Sequence, residues 1–231
     1  MIFLHYFCPR LRATIELWCN GNTADFGSVI LSSNLGSSTT KEEEINLTSF
    51  FCFYYVFRIF VKTDSIMIFR KATESDIDAV AAIMAAASAR LGAAGVDQWQ
   101  RGYPNRSSVE ADVAAGVGMV LNEGDTILAY GAVIFTGEPA YDDLTGGEWL
   151  TKGGDYACIH RLCVNEIFVG MGFSKQFMMA AEAMAAERVA SIRIDTHPDN
   201  KIMQSLVARL GYTYCGDVII ESRRLAYEKV F

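Results

Sequence analysis

The stretch Arg161–Glu187, RLCVNEIFVGMGFSKQFMMAAEAMAAE, is where residue types and spacing first suggest chemistry. It begins like a strand, passes through a short loop containing Gly170-Met171-Gly172, and ends as an alanine-rich helical pattern. Glycines between a strand and a helix start leave bare backbone N–H groups facing outward at the positive end of the helix dipole. The ligand that suits such a place is a phosphate. Gly170 and Gly172 would let that phosphate approach the backbone without a clash against a Cβ. The loop is not a Walker loop, since GxxxxGK[ST] is absent, nor a dinucleotide fingerprint, since GxGxxG is not completed. A plain glycine turn is the other reading of the same residues.

Titratable groups nearby are few. Histidines occur at 5, 160 and 197, which disfavours a multi-histidine metal centre, and no metal is expected. Cysteines lie at 8, 19, 52, 158, 163 and 215 without CxxC spacing. They read as thiols of a reducing cytoplasm rather than a disulfide framework. The net charge of -7 argues against a nucleic-acid backbone as main partner.

The elements that must position these groups begin at Met67. Met67–Ala72 reads as a strand and Glu74–Leu91 as a helix, with Thr73 and the acids behind it at its start. A glycine-bearing loop with two aromatics, Trp99 and Tyr103, follows. Ser107-Ser108-Val109-Glu110 matches a capping box and opens a second helix. Gly118–Phe135 reads as two strands turning at Asn122–Asp125, and Thr136–Gly154 as a long polar and aromatic loop. Loops of that length in compact domains are often functional. Then come a strand at Asp155–Val164, a helix at Gly172–Arg188, a strand at Ser191–Thr196 and a helix at Asn200–Leu210. Strands at Tyr212–Ile220 and Arg224–Lys229 close the chain. The expectation is one mixed α/β (α+β) domain, a largely antiparallel sheet flanked by helices.

Residues 1–66 differ in kind. They hold eight of the 14 phenylalanines but only two alanines. Phe50–Val61 is apolar but too short for a membrane anchor, and it lies too far in for a secretory signal. Leu17–Ser37 resembles a transfer-RNA gene translated in frame, and Met67 looks like a genuine start. Residues 1–66 are therefore expected to be spurious or poorly structured and to carry no function.

Two stretches, IHRLCVNEIFVGMGFSKQFM and IRIDTHPDNKIMQSLVARLGYTYCG, resemble the GNAT superfamily of N-acetyltransferases, and the likeness covers nearly all of residues 67–231. The first resembles the family's acyl-CoA motif, Gln/Arg-x-x-Gly-x-Gly/Ala. Val169, Gly172 and Ser174 stand at those positions, so the leading side chain is lost and one small residue is replaced by another. The second resembles the family's Asp-Asn, helix, Leu-Gly-aromatic ending.

The resemblance implies acetyl-CoA as co-substrate and direct attack of a small-molecule or peptide amine on the thioester. It places the pyrophosphate on Val169, Gly170, Met171, Gly172, Phe173, Ser174 and Lys175. It places the pantetheine arm along Leu162, Cys163 and Val164, with Asn200 and Met203 flanking it. Oxyanion stabilisation falls by the same analogy to backbone N–H groups around Val164. The family often has a tyrosine acid where this chain has Val207, and a valine gives no proton. Tyr214 or Tyr212 reaches the sulfur, or a water does, or the thiolate leaves unassisted; Tyr214 is favoured over Tyr212, though a cross-strand packing role fits it too. His160 is the best base candidate, its alternative being a hydrogen-bonded sheet histidine. Asp195 either holds an amine or caps its turn. Trp99 and Tyr103 either sandwich the acceptor or pin their loop. An acyl-CoA-binding sensor without catalysis is the alternative to an enzyme. Homodimers are common in the family, and no membrane partner is expected.

Overall fold

The structure is a computed structural model that describes residues 66–153 and 155–231. The expectations for residues 1–66 therefore fall, but for Ile66, outside the described residues. The described residues form a mixed α/β fold, a mostly antiparallel sheet with four helices. In chain order these are β1 (Met67–Lys71), α1 (Ile77–Ala93), α2 (Arg106–Ala114), β2 (Gly118–Glu123), β3 (Thr126–Ile134) and β4 (Tyr156–Val164). Then follow α3 (Phe173–Ala186), β5 (Ser191–Thr196), α4 (Lys201–Arg209), β6 (Thr213–Ile220) and β7 (Ser222–Val230). Among them no helix is long and apolar enough to cross a membrane.

The seven strands lie in the order β1-β2-β3-β4-β5-β7-β6. Every neighbouring pair is antiparallel except β4–β5, which is parallel. That parallel pairing is short: Tyr156, Ala157 and Cys158 face Ser191, Ile192 and Arg193, and beyond them the two strands part. β5 stays paired with β7 to its end at Thr196. The rest of β4, from Ile159 to Val164, therefore turns one edge toward open space.

β4 is also bulged. Ala132 faces His160 and Tyr130 faces Cys163, so Gly131 alone opposes Arg161 and Leu162. Arg161 takes up the extra residue with a φ of 57°. A bulge bends its strand and re-aims the side chains around it. Here it keeps His160 and Cys163 on one face although they are three apart in sequence.

Helices α1 and α2 cover that face near β1–β3, burying Val80, Met84, Ala87 and Val109 against Val120, Tyr130 and Cys163. α3 covers the other face, where the ring of Phe177 fills the space left by the missing side chain of Gly131. The capping of α2 differs from the sequence expectation: Asn105, not Ser107, is the cap, its side chain accepting from the Ser108 amide.

The long loop after β3 is tightly docked. The Arg193 guanidinium lies between the rings of Trp149 and Tyr156, 4.1 and 3.8 Å from their centroids. Its Nε donates to Glu228, which has no exposed surface and also receives the Leu150 and Thr151 amides. Thr145 exchanges two backbone hydrogen bonds with Asp217 of β6. The loop is thus a fixed wall over the β5–β7 half of the sheet.

Candidate functional site

The parted strands open into a cavity of about 560 Å³. Its walls are the bulged half of β4, the end of β5, the entrance of α3, α4, the end of α1 with the α1–α2 loop, the β6–β7 turn and Glu138 of the long loop.

At the α3 entrance, Gly170 and Gly172 both have φ +84°, and a Cβ on either would meet nothing within 4 Å. Gly172 caps the helix without any side-chain hydrogen bond. The first helical bond runs from the Gln176 N–H to the Gly172 carbonyl. The amides of Phe173, Ser174 and Lys175 therefore precede the helical ladder, with the positive end of the dipole behind them. Phe173 fixes the turn from inside, buried edge-on against Phe168. Val169, Gly170, Gly172, Phe173, Ser174 and Lys175 all line the cavity; Met171 does not. An entrance with two glycines and three amides ahead of the helical ladder suits a phosphate.

Leu162, Cys163 and Val164 form the adjoining wall, and Ile194, Asp195 and Thr196 line the cavity as well. Asn200 and Met203 line it as well. Asn200 caps α4, its Oδ1 accepting from the Met203 N–H at 3.1 Å. Its Nδ2 donates to Gln98 Oε1, also at 3.1 Å, and so ties the α1–α2 loop to this rim.

Four polar residues converge beyond the bulge. His160 Nε2 lies 3.3 Å from Glu138 Oε2, close enough for a strong charge interaction but off the line of a good hydrogen bond. His160 Nδ1 lies 3.9 Å from Asp195 Oδ1, and the Tyr141 hydroxyl donates to that same oxygen at 2.9 Å. Burial works against a charged imidazole, but Cys158, Glu138 and Asp195 outweigh it and raise the His160 pKa to about 10. The contact with His160 in turn holds the Glu138 carboxyl below its usual range, burial notwithstanding. Burial first, and Asp195 next, push the Tyr141 hydroxyl up.

A second network supports the bulge. Arg161 grips Asp112 of α2 through Nε and Nη2 at 2.8 and 2.6 Å. Asp112 also accepts from the buried Tyr130 hydroxyl at 2.6 Å. Arg161 Nη1 donates to the Tyr103 hydroxyl at 2.6 Å and so reaches the α1–α2 loop. Tyr103 and Trp99 both line the cavity. Trp99 packs on the core beneath α1, and its carbonyl accepts from Ser88. Tyr103 keeps 39% of its surface exposed.

The structure brings His160, Asp195, Trp99, Tyr103 and the cofactor-wall residues other than Met171 to one cavity. It does not bring Tyr214 there. Tyr214 is half-exposed, donates its hydroxyl to Asp217 at 3.0 Å and packs edge-on against Tyr227. Tyr212 is buried on the side of Glu182, and Val207 has no exposed surface; neither is on the lining. His197 accepts from the Asp199 amide within its own turn. Sequence reasoning missed Glu138, Arg161 and Arg224, which also line the cavity. Only Arg161 left a signal, as the charged residue in an otherwise apolar strand.

The model of the acetyltransferase (GNAT) family matches residues 87–212. No curated protein matches the chain. A GNAT-family acetyltransferase from Streptococcus agalactiae 2603 superposes with a TM-score of 0.68 at 34% identity, covering 71% of this chain and 95% of that one. A GNAT-family acetyltransferase from Listeria monocytogenes 4b F2365 gives a TM-score of 0.58 at 21% identity, over 71% and 95% of the two chains. A ribosomal-protein-alanine N-acetyltransferase from Brucella melitensis gives 0.53 at 16%, over 71% and 99%. The last two likenesses are of fold alone.

Proposed function

Because the chain belongs to the GNAT acetyltransferase family, we propose that it transfers the acetyl group of acetyl-CoA to an amine of a small molecule or peptide by direct attack on the thioester. The observation that carries this reading is the single cavity shared by a glycine-flanked helix entrance and a buried carboxylate–imidazole cluster. Bound there, acetyl-CoA supplies an activated acyl group.

The amides of Phe173, Ser174 and Lys175 hold the diphosphate. The free edge of Leu162–Val164 pairs with the pantetheine amides as an added strand would. Backbone N–H groups beside the bulge, around Val164, face the thioester oxygen and stabilise the charge that develops on it. Tyr103 and Trp99 close the acceptor side.

His160 takes the proton of the acceptor ammonium; the freed amine then forms the C–N bond, the C–S bond breaks and coenzyme A leaves as the thiolate. Its raised pKa suits a base of that kind. An alkylammonium resembles a lysine side chain, with a pKa of about 10.4, so proton transfer between the two is nearly balanced. Glu138 and Asp195 stabilise the imidazolium that results.

The sign of the pH dependence follows. A base that ionises near pH 10 is mostly protonated at pH 7, so kcat/KM rises as pH climbs toward 10. Glu138→Gln removes a group that raises the His160 pKa, so the rise moves to lower pH. The measurement uses the same alkylamine acceptor for both proteins, so that its own ionisation contributes equally to the two profiles. An unmoved profile in Glu138→Gln would remove His160 from the proton path.

The overall test is thiol release from acetyl-CoA by the full-length protein with a panel of amines. One observation favours a second reading, an acyl-CoA sensor without catalysis. Val207, wholly buried, stands where the family often has its tyrosine, and Tyr214 is held by Asp217 away from the cavity. Coenzyme A binding without turnover on any amine selects the sensor; turnover dismisses it.

A further inference from the structure

Arg224 has more donors than hydrogen-bond partners among the described residues. Its side chain is 4% exposed, yet of five N–H donors only Nε makes a hydrogen bond, to the Ile220 carbonyl at 3.2 Å. Nη2 stops 3.8 Å from Glu221, beyond hydrogen-bond reach. Nη1 is buried with no hydrogen-bond partner among the described residues. A guanidinium cannot shed its proton, so a buried one with idle donors is poised for an anion.

The sheet register says where that anion would lie. Arg193 pairs with Glu228 and Asp195 with Ala226, so Arg224 shares their face of the sheet. Cys158 pairs with Arg193, which puts His160 on that face too. Arg224 is thus the diagonal neighbour of Asp195, roughly 7–8 Å away along the strands, and it lines the same cavity. The phosphate cradle belongs to α3, which packs on the opposite face through Phe177 and Gly131. The cradle's helix and Arg224 thus approach the cavity from opposite faces of the sheet, which favours a different anion for each. The turn that presents Arg224 is also unusual, since Glu221 is a non-glycine residue at φ 59°.

We propose that Arg224 anchors the acceptor, and that the acceptor is a small amine carrying a carboxylate, such as an amino acid. The guanidinium fork matches a carboxylate with two parallel hydrogen bonds. A carboxylate seated there puts an amine a few bonds away beside Asp195 and His160. This deepens the acetyl-transfer reading and rests on it.

The test uses full-length protein loaded with coenzyme A. Common amino acids, their amides, their decarboxylated amines and the matching aminophosphonates are compared by thermal shift, and by thiol release when acetyl-CoA replaces coenzyme A. At least one acid should exceed its own amide by about 10- to 100-fold in binding or kcat/KM, as expected for hydrogen bonds to a charged group. In Arg224→Gln that advantage should vanish through KM, and Arg224→Lys should restore part of it. Acid and amide behaving alike on the wild-type chain overturns the proposal, whatever the variants do. An advantage that survives Arg224→Gln overturns the role of Arg224, leaving it a cap for the β6–β7 turn. A phosphonate that binds better than its carboxylate counterpart overturns the choice of anion. If coenzyme A itself fails to bind, the acetyl-transfer reading falls separately, and the acid–amide comparison on the unloaded chain still decides this one.

Discussion

Gly172→Val should weaken coenzyme A binding by about 100-fold, read as Kd by calorimetry on the full-length protein. The figure equals about 2.7 kcal/mol, less than the loss of two hydrogen bonds to a charged phosphate. Two effects combine. Gly172 sits at φ +84°, ψ 8°, where a β-branched residue is strained by about 1–3 kcal/mol. The new side chain also projects into the space that is now empty beside the first amides of α3. Gly124→Val separates the two effects. Gly124 has φ +55° and open space around it too, but it lies in the β2–β3 turn. It should lower the melting temperature and leave the Kd alone. Equal losses of affinity in both variants would mean that strain, not access to the amides, limits binding, and the cradle would lose its main support.

That cradle was legible because all of its parts are local. A strand, two glycines and a helix start lie within a dozen or so residues, and their meaning needs no distant partner. The order of strands and helices was legible for the same reason, since apolar periodicity and turn residues act over short range. Boundaries shifted by a residue or two, as at Phe173–Ala186 against the expected Gly172–Arg188.

What stayed hidden is what the tertiary fold assembles. Arg161 and Asp112 are 49 residues apart, and Glu138 reaches His160 only because Arg193 and Glu228 pin the loop that carries it. Tyr214 shows how alternation misleads. Reading Tyr212 and Tyr214 as one strand face requires an unbroken strand, but the strand begins at Thr213 and its pairing shifts between Tyr214 and Gly216. The result is a buried Tyr212 and an exposed Tyr214. Arg224 looked like an ordinary strand arginine, because only the register with β5 aligns it with Asp195.

Asp112→Ala should cost about 3–5 kcal/mol, the usual penalty for leaving one member of a buried ion pair without the other. For a chain of this size that corresponds to a melting temperature roughly 6–20 °C lower. Asp112 is 5% exposed and accepts three hydrogen bonds, two from Arg161 and one from Tyr130. Without it the guanidinium stays charged in a site that water reaches poorly, and the Tyr130 hydroxyl loses its acceptor. Function should suffer beyond stability. Arg161 is the bulge residue and the tether of Tyr103, so its release frees both the bulged backbone and the α1–α2 loop. At a temperature where the variant is still folded, kcat should fall and the acceptor KM rise, while the Kd for coenzyme A changes little. The double variant Asp112→Ala/Arg161→Met identifies the cause. Removing the stranded charge along with its partner should recover much of the lost stability without recovering activity, because the bulge still lacks its anchor. If the double variant is as unstable as Asp112→Ala alone, the loss comes from the cavity under α2 rather than from the unpaired charge. The ion pair would then be a packing element, and the coupling between bulge, acceptor loop and chemistry would have to run through Trp99 instead.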